Sequence, residues 1–222
     1  TLEQIVAKLD TSAAKRDAGP VGYGHYLQVL REMPANPIPE ALNPWALRLL
    51  RAHGEFQVLC ALRSGPWGVE GLNERIAQLL AHRELIAQSS GWYAGRPVLV
   101  TRNDYSLKLM NGDIGITVQM PAGQALDAGG ASGAAVAQGA LRVVFATSEG
   151  LRWVLPSRLQ AVETVYAMTI HKSQGSEFNH AAVVLPPSLS PIMTRELVYT
   201  GITRAKRWLT VVAGGSSNFA VL

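Results

Sequence analysis

The chain has 222 residues, a formal net charge of +4 and a hydrophobic fraction of 48%, which is enough for a real core in one large or two small domains. Only 16% of the residues are charged, so the basic excess permits a nucleic-acid partner without demanding one. A single cysteine, Cys60, excludes an internal disulfide and fits a reducing, cytoplasmic setting, and no apolar run is long enough to span a bilayer.

The first fifty residues read as helices broken by turns. Leu2, Ile5, Val6 and Leu9 form one apolar stripe, and Tyr26, Leu27, Val29 and Leu30 form another. Pro34, Pro37 and Pro39 end the second. A third runs from Ala41 to His53, with Trp45, Leu47, Leu49 and Leu50. Residues 1–53 are therefore expected to form a helical segment without chemistry of its own. Thr1 opens directly into a helical pattern, as expected of a segment of a longer protein.

Phe56 to Leu62 is a near-continuous apolar run, fit for a strand buried on both faces. It leads into Arg63-Ser64-Gly65-Pro66-Trp67-Gly68 and then a helix with Leu72, Ile76, Leu79 and Leu80 inward. Arg63 thus stands at the C-terminal end of a buried strand, where its planar fork of donors can meet a phosphate.

From Gly95 short strands follow one another: 96–102, 114–119, 141–145 and 151–155, with Asn111-Gly112-Asp113 and Thr147-Ser148-Glu149-Gly150 as turns. They predict a small barrel over residues 91–159. Residues 121–140 are almost entirely Gly, Ala, Ser, Gln and Pro, and read as a disordered loop between two of its strands. Arg96, Arg102 and Lys108 are scattered cations that can touch a DNA backbone.

Val165 to Met168 reads as the next buried strand, and His180 to Leu185 as another. Between them, Thr169-Ile170-His171-Lys172-Ser173-Gln174-Gly175-Ser176-Glu177-Phe178 concentrates polar groups where open α/β sheets place ligands. A helix is expected from Thr194, its N-cap, to Lys206. Val198, Ile202 and Ala205 share its core face, and Gly201 leaves bare surface beside Arg204 for an anion. Arg207 to Ala213 returns as a strand.

The segment 169–178 and the stretch Leu197-Val198-Tyr199-Thr200-Gly201-Ile202-Thr203-Arg204-Ala205-Lys206 resemble motifs V and VI of superfamily 1 helicases, in the form found in the RecD family. Leu59 to Asn73 resembles that family's motif IV. The resemblance covers the chain from about Gly22 onward.

It implies an α/β fold: a RecA-like parallel sheet over residues 54–90 and 160–222, the second motor domain, with an SH3-like barrel inserted. It implies an ATP-dependent 5′-to-3′ DNA helicase subunit of exodeoxyribonuclease V. On that resemblance Arg63 and Arg204 are catalytic and reach the ATP phosphates. Gly175 and Glu177 join them in binding the nucleotide, Glu177 through a ribose hydroxyl. Thr169 and His171 contact single-stranded DNA.

The chain has no G-x-x-x-x-G-K-[ST] phosphate loop and no adjacent Asp-Glu pair. The family carries both in an earlier motor domain, which is expected to hold Mg²⁺ with ATP. The expected partners are that domain, single-stranded DNA, and RecB-like and RecC-like subunits. No metal site is expected here, since His171 and His180 lack ligand spacing and Cys60 lacks a second cysteine. Two alternatives are a stand-alone RecD-like helicase and a non-catalytic interaction module. The co-occurrence of Arg63, Glu177 and Arg204 weighs against the second.

Overall fold

The computed structural model describes residues 19–34, 38–120, 140–187 and 191–213. The expected stripe at Leu2 to Leu9 and nearly all of the 121–140 loop lie outside them. The chain divides into two compact units, one of residues 1–25, 52–85 and 166–222, the other of residues 26–51 and 86–165. Two of the four boundaries, after His25 and after Arg51, fall within helices α1 (Tyr23–Arg31) and α2 (Pro39–Gly54). The described residues before Phe56 are thus divided between the two units.

The first unit is built on four parallel strands in the order β7-β1-β8-β9. They are β1 (Phe56–Cys60), β7 (Ala167–Thr169), β8 (Phe178–Leu185) and β9 (Ala205–Ala213). The apolar runs explain the arrangement. Every residue of β1 is buried, as a strand flanked on both edges and covered on its faces must be. Helix α3 (Val69–His82) packs on β7, and α4 (Arg195–Ile202) packs on β8 and β9. Leu72, Ile76 and Leu80 form the buried stripe of α3.

Buried polar groups secure this sheet by satisfying backbone that burial would otherwise strand. The Asn73 amide grips Ala167 on edge strand β7 from both sides. Its Nδ2 donates to the Ala167 carbonyl at 3.2 Å, and its Oδ1 accepts from the Ala167 N–H at 2.9 Å. The Tyr166 carbonyl accepts from the Tyr23 hydroxyl and from Gln57 Nε2. His180 places its two ring nitrogens at 2.6 Å from the Val21 carbonyl and 2.9 Å from Thr210 Oγ1.

The second unit carries a five-stranded sheet in the order β5-β4-β3-β2-β6, antiparallel at every pairing. Its strands are β2 (Pro97–Val100), β3 (Ile114–Gln119), β4 (Leu141–Thr147), β5 (Gly150–Val154) and β6 (Val162–Thr164). Four were expected. β6 was not, because three half-buried residues carry too little periodicity to announce a strand. Val98, Val100, Leu107, Leu109, Val143, Phe145 and Val154 form one apolar cluster. The β4–β5 turn is a two-residue hairpin closed by the Thr147↔Gly150 pair, with Gly150 at φ +112°. In the same unit Trp45 donates to the Val29 carbonyl and Tyr26 to the Gly95 carbonyl, which ties the helices into this core.

Candidate nucleotide and DNA site

The parallel order gives every strand of the first unit the same direction, so the sheet has one edge where strands leave and one where they enter. β7 and β8 lie on either side of β1, and the chain must pass from the exit of one to the entry of the other. Residues 170–177 make that passage with one 3₁₀ turn, His171–Ser173. Ile170 starts it, buried, with its N–H on the Cys60 carbonyl. Ser173, also buried, returns its hydroxyl to the Ile170 carbonyl at 2.7 Å. Gly175 takes φ +85°, a left-handed conformation that L side chains resist, before the chain enters β8.

This passage separates the expected site residues. Arg63 and Thr169 lie at the exit edge, beyond β1 and at the end of β7. Glu177 and Arg204 lie at the entry edge, just before β8 and β9, where Phe178 pairs with Ala205. At about 3.3 Å per residue, the level of Phe178 lies about 20 Å below that of Val184, which pairs with Cys60. The C-terminal strand ends were expected to carry Arg63, the 169–177 segment and Arg204; that segment instead crosses the sheet, and Glu177 and Arg204 stand at the opposite edge.

The entry edge is a cluster. Arg204 donates through Nε to the Thr200 carbonyl at 3.0 Å, through Nη1 to the Ser176 carbonyl at 3.2 Å, and through Nη2 to Thr203 Oγ1 at 3.2 Å. The Phe178 N–H donates to the Arg204 carbonyl at 2.8 Å. Lys206 Nζ stands 3.2 Å from Glu177 Oε2, both side chains about half exposed. Two cations therefore grip consecutive residues of the crossover.

The motif VI helix differs from its expected form. Thr194 caps it as expected, accepting from the Leu197 N–H at 3.2 Å. It stops at Ile202, because pairing with Phe178 draws Ala205 into β9. Leu197 and Gly201 form its buried face, while Ile202 is 39% exposed. Gly201 does not bare a surface for an anion. A Cβ there would lie 3.0 Å from Ile170 Cδ1 and 3.5 Å from Val183 Cγ2, so the glycine lets the helix lie close on the sheet. Arg204 follows the helix instead of lying on it.

At the exit edge, His171 is exposed and Thr169 half-buried, with Thr169 Oγ1 accepting from the Lys172 N–H at 3.2 Å. The Thr169 hydroxyl keeps its own proton to donate. Arg63 is exposed on a loop packed tightly on α3, whose Glu70 N–H donates to the Arg63 carbonyl. Close packing there requires Gly71, whose Cβ would lie 2.6 Å from the Gly65 carbonyl oxygen. Cys60 is buried and its thiol is pushed up to about 12 by burial, which makes it a packing residue. Lys206 is the residue that the sequence reading missed. A lone lysine after Arg204 gives no signal until the strand pairing places it beside Glu177.

The UvrD-like helicase C-terminal domain family matches residues 164–212. The RecBCD enzyme subunit RecD of Mycobacterium tuberculosis is 40% identical over 198 residues, covering 84% of this chain and 32% of that protein. The same subunit of Haemophilus influenzae is 38% identical over 86% of this chain and 27% of its own length. The ATP-dependent RecD2 DNA helicase of Deinococcus radiodurans is 30% identical over 73% of this chain and 20% of its own. The chain thus spans between a fifth and a third of the length of these relatives. It belongs to the RecD family of superfamily 1 helicases and corresponds to the C-terminal part of that family's sequence.

Proposed function

We propose that this segment is the second motor domain of an ATP-dependent 5′-to-3′ DNA helicase subunit, working with RecB-like and RecC-like subunits in the cytoplasm in double-strand break repair and recombination. On this reading the first unit is RecA-like and the antiparallel sheet is an SH3-like barrel inserted into it. The observation that carries the proposal is the entry-edge cluster, where Arg204, Lys206 and Glu177 converge on the motif V crossover.

Two cations and a carboxylate fit one half of a nucleotide site. Arg204 supplies a planar fork for phosphate oxygens and Glu177 an acceptor for a ribose hydroxyl. Gly175 joins them through its backbone, held at φ +85° with open space beside it. ATP would supply the phosphoryl group, whose negative charge Arg204 would stabilise beside Mg²⁺, with the phosphate loop and the metal ligands on the preceding motor domain. At the exit edge Thr169 and His171 donate to the phosphates or sugars of single-stranded DNA. Arg63, placed at that same edge, acts on ATP only if the facing domain brings the nucleotide to it.

The crossover gives the coupling a physical route. It starts at the DNA-facing edge and ends at the nucleotide-facing edge, so movement of residues 170–177 reaches both. A second reading is a stand-alone RecD-like helicase; the protein of that family named ATP-dependent RecD2 DNA helicase is 30% identical to this chain. The test is unwinding by the full-length protein, alone and with its partners, on duplexes with a 5′ or a 3′ single-stranded tail. ATP-dependent opening of the 5′-tailed duplex supports the proposal. Opening confined to the 3′ tail, or none in either setting, refutes it.

A further inference from the structure

The structure assigns a role to Lys206 that rests on the proposed ribose contact of Glu177: we propose that Lys206 is a positioning residue that sets the sugar selectivity of the nucleotide site. Glu177 is a half-exposed carboxylate on a flexible side chain, the last residue of a crossover whose backbone Arg204 and Phe178 already fix. The backbone is held, but a carboxylate with three rotatable bonds is not held by its backbone alone. Lys206 Nζ holds Oε2 at 3.2 Å and leaves the other oxygen to accept from a hydroxyl. The ammonium also neutralises a charge that would otherwise repel the phosphates of the same ligand. An exposed ion pair of this kind contributes little to folding, so its effect falls on the ligand. A site built to hydrogen-bond a hydroxyl discriminates against the analogue that lacks it, provided that the acceptor is in place.

The experiment is steady-state, DNA-stimulated hydrolysis of ATP, 2′-deoxy-ATP and 3′-deoxy-ATP by the full-length protein and its Lys206→Gln, Lys206→Arg and Glu177→Gln variants. Lys206→Gln is expected to raise the KM for ATP about fivefold, with kcat held within about twofold. It should also narrow the preference for ATP over the discriminated deoxy analogue. Lys206→Arg, which keeps the charge and the donor, should restore both. If Glu177→Gln loses the preference and Lys206→Gln keeps it, Lys206 is a surface cation only, and this inference falls while the ribose contact stands. If Glu177→Gln itself keeps wild-type KM and preference, the ribose contact falls and takes the inference with it. A fall in kcat with KM unchanged in Lys206→Gln also overturns it, because a positioning residue for the sugar acts on binding.

Discussion

Arg204 donates to the Ser176 carbonyl at 3.2 Å, joining motif VI to the last turn of motif V across the start of two neighbouring strands. In this arrangement the guanidinium is engaged with protein. Three of its five N–H groups are used, on the Thr200 and Ser176 carbonyls and on Thr203 Oγ1, and two remain to donate.

Close packing of the motif VI helix depends on Gly201. Gly201→Val is expected to destabilise the fold by about 1–3 kcal/mol, the usual range for overpacking, because Ile170 and Val183 stand where its methyl groups would go. Gly201→Ala should be nearly neutral, since its gain in helix propensity of about 1 kcal/mol offsets a milder clash. Ile170→Val should recover part of the loss in the Val variant. Urea titration of the three variants measures this, and a Val variant as stable as wild type would show that the helix is free to lift.

His53 gives a pH dependence. It is buried, and burial pushes its imidazole down from 6.5 to about 4. A folded pKa below the unfolded one means that the stabilising neutral form is fully present above pH 6.5 and is lost as pH falls towards 4. The loss across that window is about 3 kcal/mol. His53→Leu should flatten the acid limb between pH 6.5 and 4, as read from urea midpoints at several pH values. An unchanged limb would place the titrating group elsewhere.

Thr169→Ala and His171→Ala are expected to weaken single-stranded DNA binding by the full-length protein by about threefold to tenfold each, as for the loss of one hydrogen bond to phosphate or sugar. ATP hydrolysis at saturating DNA should persist, because both residues lie at the edge away from Arg204. Fluorescence anisotropy with a labelled oligonucleotide measures the affinity. Wild-type binding in both variants would remove the exit edge from the DNA path.

The sheet was legible because its strands are apolar on both faces. Phe56 to Cys60 and Ala181 to Leu185 leave a buried parallel strand as the simplest reading. The N-cap at Thr194 was legible because a hydroxyl before a helical stripe has one common use. The direction of the crossover was not. Polar residues between two strands read as a loop until the pairing of β1 with both β7 and β8 requires them to travel the length of the sheet. The choice of helix face also failed: Val198, Ile202 and Ala205 are the more apolar set, but the small Gly201 permits the closer approach. Asn73, Gln57 and His180 gave no signal, since each meets a partner far off in sequence: Ala167, the Tyr166 carbonyl, and the Val21 carbonyl with the Thr210 hydroxyl.

The central claim is that Arg204 meets the transferring phosphoryl group. The direct measurement is DNA-stimulated ATP turnover by full-length Arg204→Ala and Arg204→Lys, beside a thermal melt of each. Losing such an arginine costs about 10³–10⁵ in turnover, and Lys should not rescue it because a point charge lacks the fork. Loss of the bonds to Ser176 and Thr200 should cost about 1 kcal/mol of stability, too little to unfold the protein. Turnover reduced at least a thousandfold in a folded Ala variant is the predicted result. Turnover within about tenfold of wild type, with an unchanged melt, would contradict it and leave Arg204 as a clasp between two motifs.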